Sequence, residues 1–201
     1  RRVGEIIREM APDVKITLSS EAAPRIREYP RFMSTIIDLY VGLPLHKLLH
    51  EIGSKLRAKG YAYPFLIMQA AGGLASADIV KPVTTLHSGP VGGLTGVDFW
   101  RNIYGAKVAI GTDVGGTSFD VSISSAGEED YLREPIVGRH EISSPMRQIM
   151  TIGAGGGTKA RFDHLTKRLI VGPASAEAVP GPACYGLGGK EPTVTDADLV
   201  L

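Results

Sequence analysis

An imbalance of charge is missing from this sequence: 22 basic and 21 acidic side chains among 201 residues leave a formal net charge of +1. No basic patch of the kind that follows a phosphate backbone stands out, so nucleic acid is not an expected partner. Cysteine is nearly absent. The single thiol, Cys184, excludes a disulfide within the chain and suits a reducing, cytoplasmic setting. Long apolar runs are absent too, so no membrane span is expected. Arg1-Arg2 is not followed by the sustained apolar stretch of a signal peptide. The sequence lacks an initial Met and stops at Asp198-Leu199-Val200-Leu201, within what reads as an element. Both ends therefore read as cuts in a longer polypeptide.

What is present is the material of a packed core, with 43% hydrophobic and 21% charged residues. Glycine is abundant, at 25 residues, and clustered: Gly72-Gly73, Gly92-Gly93, Gly115-Gly116, Gly155-Gly156-Gly157 and Gly188-Gly189. Glycine suits backbone that needs positive φ or must approach a ligand closely, so the clusters suggest a site built from loops.

Along the chain, residues 3–10 read as weakly helical and Val14 to Ser19 as a strand. Ser34 is expected to cap a helix running to about Lys59, interrupted at Gly42 and Pro44 and stopped by Gly60. Phe65 to Met68 reads as a buried strand, followed past Gly73 by a short helical stretch. Val83 to Leu86 reads as another strand. Ser88-Gly89-Pro90 opens a helix carrying Leu94, Val97, Phe99 and Trp100, ended by Gly105. Strands follow at Val108–Thr112, Phe119–Ser124 and Tyr131–Glu134. The Gly- and Pro-rich remainder ends in an element capped by Thr195. This mixture defines an α/β class.

The segment from Val108 to Ile123 carries the most information. Val108, Ile110 and Thr112 alternate with Ala109, Gly111 and Asp113. Phe119, Val121 and Ile123 alternate with Ser118, Asp120 and Ser122. Period two on both sides of Gly115-Gly116 predicts a β-hairpin over 107–124. The two apolar sets are expected to share one buried face, with Asp113 and Asp120 turned toward a cleft. Free backbone N–H groups at Gly115 and Gly116 form an anion nest, and Thr117 adds a hydroxyl. Asp113 is placed to hold Mg²⁺, and Asp120 is a second carboxylate for metal or water. The same hairpin is equally readable as a plain turn whose Asp and Thr satisfy their own backbone. No lysine follows the glycines, so this is not a Walker loop. Gly153 to Thr158 is not a dinucleotide fingerprint, because its third glycine falls at Thr158.

Asp113-Val114-Gly115-Gly116-Thr117-Ser118-Phe119-Asp120 resembles the second phosphate loop of the hydantoinase A / oxoprolinase family. Three further blocks resemble that family in order: Ser88 to Gly93, the Gly-rich loop 151–158, and a C-terminal signature at 180–197. The resemblance implies a nucleotide-binding fold of the actin, sugar kinase and Hsp70 (ASKHA) type, with two lobes around a cleft. It implies ATP and Mg²⁺, with phosphate held by Gly115, Gly116, Thr117, Gly155, Gly156 and Gly157, and Asp113 and Asp120 as catalytic carboxylates. It further implies a small-molecule substrate and a partner subunit of hydantoinase B type. Family members use ATP to phosphorylate a carbonyl oxygen. Some then hydrolyse a lactam or hydantoin, whereas others carboxylate a ketone such as acetone or acetophenone. A non-enzymatic actin-like module is the alternative from another class. The family's first Asp-x-Gly-Gly-Thr loop has no copy here, so its N-terminal lobe is expected to be absent and these residues alone inactive.

Other residues carry weaker signals. His46 and His50, at i and i+4, are a metal pair or ordinary surface histidines. Cys184 is a nucleophile or a packed loop residue. Lys159 and Arg161 meet phosphate or form a solvated turn, and His87 orients a loop or sits in the core.

Overall fold

The computed structural model describes residues 2–127 and 131–201. In chain order its elements are α1 (Arg2–Met10), α2 (Ser19–Ala22), α3 (Glu28–Ala58), β1 (Leu66–Met68), β2 (Leu74–Ser76), a 3₁₀ turn (Pro82–Thr85), α4 (Ser88–Ile103), β3 (Val108–Val114), β4 (Phe119–Ser125), β5 (Tyr131–Leu132), β6 (Ile136–Val137), β7 (His140–Glu141), β8 (Met146–Arg147), β9 (Met150–Ile152), β10 (Thr158–Asp163), β11 (Arg168–Ser175), a second 3₁₀ turn (Ala183–Tyr185) and α5 (Val194–Val200). They divide into two compact units, Arg1–Gly92 with Glu129–Gln148, and Gly93–Glu128 with Ile149–Leu201.

The first unit is built on α3. Its core joins Ala70, Val83, Ile142 and Met146, with Met33, Ile37, Leu86 and Val137 packed around them. Ser34 does not cap the helix, which begins at Glu28. Ser34 Oγ donates to Pro30 O (2.7 Å) and accepts from Ser143 N (2.7 Å), so it ties α3 to the returning chain. The expected interruption at Pro44 is not a break, since α3 runs unbroken to Ala58. Contacts beside Pro44 fix the helix. Buried Gly42 lies under Pro82, where a Cβ would stand 3.2 Å from the proline ring, and Asp38 accepts from Val83 N (3.0 Å).

Three short assignments are corrected. Val14 to Ser19 is not a strand: it pairs with no strand among the described residues, Leu18 packs on Gly4, and Ser19 starts α2. Val83 to Leu86 is not a strand either, because Pro82 presets the dihedral of a helical first turn and Thr84 and Thr85 hydroxyls bond back to Lys81 O and Pro82 O. The stretch after Gly73 is extended rather than helical. Gly72, at φ +90°, closes the turn that lets β2 pair antiparallel with β1.

The second unit holds a three-stranded sheet in the order β3-β4-β9 and a separate hairpin of β10 and β11. The β10–β11 hairpin was hidden in the Gly- and Pro-rich remainder. Its turn is set by Asp163, whose carboxylate accepts from Leu165 N (2.9 Å) and Thr166 Oγ1 (2.7 Å). α5 is capped by Thr193 rather than Thr195. Thr193 Oγ1 accepts from Asp196 N, and the Asp196 carboxylate accepts from Thr193 N, a reciprocal capping box.

Candidate phosphate site

The β3–β4 register pairs Val108 with Ser125 through Val114 with Phe119, leaving 115–118 as the tip. The apolar sets do share a face, since Ile110 opposes Ile123 and Thr112 opposes Val121. That face, however, is the open one: Ile110 is 66% exposed and Ile123 56%, and Met150 and Ile152 of β9 extend it. The buried face is the polar one, with Ser122 and Ser124 inside. The cause is Gly111. A Cβ there would lie 2.6 Å from both Val97 Cγ2 and Ser122 Oγ, so α4 settles directly on the strand at this position. Ser124 completes the seam. Arg101 Nε donates to its hydroxyl (2.6 Å), which donates in turn to Asp98 Oδ1.

Nearer the tip, this face carries the two carboxylates, because Asp113 and Asp120 are direct cross-strand partners. Asp120 is half-buried and accepts from Thr151 Oγ1 of β9, the residue opposite it in the next register. Asp113 is exposed and engages no hydrogen bond or ion pair among the described residues. Like charges placed directly opposite in an antiparallel pair oppose folding, so this pair is a cost unless a cation lies near it.

The tip is held by the Gly-rich loop. Gly115 N–H closes the turn on Ser118 O (2.8 Å). Gly156 N–H donates to Gly115 O (2.9 Å), and Gly157 N–H donates to Gly116 O (2.6 Å). Each of those carbonyls shares a trans peptide plane with the next amide, so carbonyl and N–H point in opposite directions. Anchoring the carbonyls of Gly115 and Gly116 therefore aims the amides of Gly116 and Thr117 away from the loop. No backbone partner within the described residues takes those two amides.

The glycines of the two loops differ in purpose. A Cβ on Gly155 would stand 2.6 Å from Gly115 O and Thr117 N, and one on Gly157 would stand 2.7 Å from Gly116 O. Both positions are buried, and glycine there lets backbone meet backbone. At Gly116 a Cβ would meet nothing within 4 Å, and φ is not positive. Neither strain nor protein packing calls for glycine at that exposed point.

Behind the Gly-rich loop, the C-terminal signature converges on Asp196. Its carboxylate accepts from Cys184 N (2.7 Å), Ala183 N (3.2 Å), Thr193 N (2.8 Å) and Thr193 Oγ1 (2.8 Å). The Cys184 backbone donor above all, with Cys184 and Thr193 side chains adding to it, holds this carboxyl far below the usual range. Cys184 is exposed rather than packed, and its hydrogen bond to Asp196 pushes the thiol pKa up. Sequence reading missed Asp196, although the Thr193-x-x-Asp196 spacing signals a cap. His46 and His50 lie in the first unit, in a groove of about 590 Å³ with Arg57, Tyr61 and Tyr63. No metal-binding cluster of three or more such ligands occurs among the described residues. Lys159 pairs with Glu191. No helix among the described residues is long and apolar enough to cross a membrane.

Residues 31–201, which hold the β3–β4 hairpin, the Gly-rich loop bonded to its tip and the loop clamped by Asp196, match the hydantoinase/oxoprolinase family by sequence, and the chain belongs to that family. It is 42% identical over its whole length to the acetophenone carboxylase gamma subunit of Aromatoleum aromaticum, of which it spans 28%. An ATP-dependent acetone carboxylase, solved nucleotide-free, superposes with a TM-score of 0.83 at 29% identity, over 99% of this chain and 28% of that one. The ATP-dependent caprolactamase from Pseudomonas jessenii superposes with a TM-score of 0.74 at 37% identity, over 100% of this chain and 29% of that one. The chain thus spans less than a third of the length of these relatives.

Proposed function

We infer that this chain is part of an ATP-dependent enzyme that phosphorylates a carbonyl or amide oxygen of a small molecule, within an ASKHA-type cleft completed by the N-terminal lobe of the family. An amide or enol oxygen is a poor leaving group, and phosphorylation makes it a good one. The protein's work is then mainly positioning and charge stabilisation. The observation that carries the reading is the tip itself, where two amides without a backbone partner among the described residues and an exposed Gly116 lie at the end of strands that carry two opposed carboxylates.

In this reading Gly116 and Thr117 donate their amides, and Thr117 its hydroxyl, to phosphate oxygens. Gly155, Gly156 and Gly157 serve the phosphate site from behind the tip. Asp113 and Asp120 fit a hard cation, being oxygen donors whose mutual repulsion a cation would offset. Mg²⁺ held there would neutralise charge on the phosphates. Asp120 is oriented by Thr151, and Asp113 is the freer of the two.

Hydrolysis of a cyclic amide, a hydantoin or a lactam, is the proposed end reaction. Carboxylation of a ketone is the second reading, favoured by the 42% identity to an acetophenone carboxylase subunit. Either is expected to require a second subunit of hydantoinase B type. The deciding experiment measures ATP consumption by the intact protein with its co-purifying subunits. The substrates are hydantoin, 5-oxoproline and caprolactam, then acetone and acetophenone with and without bicarbonate. ATP turnover indifferent to every carbonyl compound would instead favour an actin-like nucleotide switch.

A further inference from the structure

We propose that the start of α5, through the backbone amide of Thr195 and the carboxylate of Asp196, positions the phosphate tip by way of Gly156. The proposal rests on the reading of the tip as a phosphate site.

The first turn of a helix leaves amides without intrahelical partners. In α5 one of these is put to use on another loop, as Thr195 N–H donates to Gly156 O (2.8 Å). The same residue, Gly156, donates its own N–H to Gly115 O. A single peptide segment therefore carries the position of α5 to the tip. Two further backbone links, Lys159 bridged to Thr193 and Ala160 N–H donating to Pro192 O (2.8 Å), keep the strand after the loop in register with the approach to α5.

Asp196 fixes the other end of this relay. Its carboxylate gathers the amides of Ala183, Cys184 and Thr193, so the first turn of α5 is pinned to the signature loop. The Thr195 hydroxyl occupies the space beside Gly156. A Cβ built on Gly156 would lie 2.6 Å from Thr195 Oγ1, whereas the next nearest atoms, Thr195 Cβ and Gly115 O, stand at 4.0 Å. The clash is thus with one removable hydroxyl. At Gly155 the clash is with backbone of the tip and cannot be removed by any side-chain change.

The test is a rescue experiment on the intact protein with its co-purifying subunits. Steady-state ATP kinetics are read alongside hydrogen exchange over 113–120 and 151–158. Gly156→Ala is expected to raise KM for ATP at least tenfold with a smaller change in kcat, and to speed exchange in both segments. Thr195→Ala, which keeps the backbone amide, stays within threefold of wild type. The double variant Gly156→Ala/Thr195→Ala returns KM to within threefold and restores slow exchange, whereas Gly155→Ala/Thr195→Ala does not recover. Asp196→Asn, which keeps the shape and removes the charge, raises KM threefold or more and decides the matter if Gly156→Ala fails to fold. A double variant as impaired as Gly156→Ala alone, or unchanged KM and exchange in Gly156→Ala or Asp196→Asn, would overturn the proposal. Absence of ATP turnover in the wild type would remove the functional reading instead, and the exchange data alone would then decide whether α5 seats the tip.

Discussion

Asp113 and Cys184 are both exposed, yet their surroundings prepare them for opposite behaviour. Asp113 lies near the end of β3 and its side chain makes no hydrogen bond or ion pair among the described residues, so its removal leaves packing intact while, in the proposed reading, withdrawing a charge from the phosphate side. In the intact protein, Asp113→Ala is expected to lower ATP turnover at least a hundredfold, on the scale of losing one electrostatic contact to a transition state (roughly 10²–10³ in rate). Its melting temperature should stay within a degree or two of wild type. Near-normal turnover would remove Asp113 from the chemistry. Cys184, by contrast, is accessible, but its hydrogen bond to Asp196 pushes the thiol pKa up and favours thiol over thiolate. The thiolate is the reactive form. Modification by a disulfide reagent at neutral pH should therefore be slower than for a free thiol, and Asp196→Asn should accelerate it. Equal rates in both proteins would break the link between the two side chains.

Among the elements, α5 is the one whose stability is tied most directly to a titrating group. The folded carboxyl of Asp196 titrates far below the usual range, so its contribution is complete above the unfolded value of about 3.9. It is lost progressively as pH falls from there through the folded value. Urea midpoints of wild type and Asp196→Asn should differ most at pH 6 and by less at pH 2, with the gap narrowing only below the unfolded value; a constant gap would contradict this. Thr193→Ala, which removes the cap hydroxyl, should cost about 1 kcal/mol. Gly111→Ala should cost about 1–3 kcal/mol by overpacking, since a shift of α4 would relieve the Val97 contact and leave Ser122 of the paired strand in place. The sequence made the β3–β4 hairpin legible because period two and Gly-Gly are local signals. Which face α4 covers was not legible, because that depends on a helix reaching the small surface at Gly111. The cap at Thr193 was misplaced by two residues in favour of Thr195, which instead contacts Gly156. The β10–β11 hairpin was missed because its turn is made by Asp163 and Thr166 rather than by a glycine pair. Of the candidate site, the residue types at the tip were readable in advance. The hydrogen bonding of Gly156 and Gly157 to that tip was not, because it joins segments some forty residues apart.

For the whole molecule, the open apolar face of the β3-β4-β9 sheet stands out. Val108, Ile110, Val114, Ile123, Met150 and Ile152 are all substantially exposed on it. A face of this composition binds hydrophobic dyes and promotes association unless something covers it. The isolated 201 residues are therefore expected to bind such a dye and to self-associate at rising concentration, followed by light scattering. They should also bind ATP weakly and show no sustained hydrolysis. In the proposed reading, one phosphate tip open to water has each of its contacts screened, and phosphoryl transfer needs stabilisation from both sides in a closed cleft. Micromolar ATP binding with steady phosphate release from these residues alone would show that a single tip suffices.

The contrast between Gly116 and Gly155 also sets what mutation can explore. Every single-base change that replaces a glycine codon's meaning adds at least a Cβ or ends the chain. At Gly155 that Cβ lands on tip backbone at 2.6 Å, so a saturation library sorted for folded protein and one sorted for activity should both be empty of substitutions there. At Gly116 the protein leaves the space vacant to 4 Å, so alanine and serine should survive sorting for fold and vanish from sorting for activity. Disagreement between the two libraries marks a position answering to a ligand, and agreement marks one answering to the chain itself.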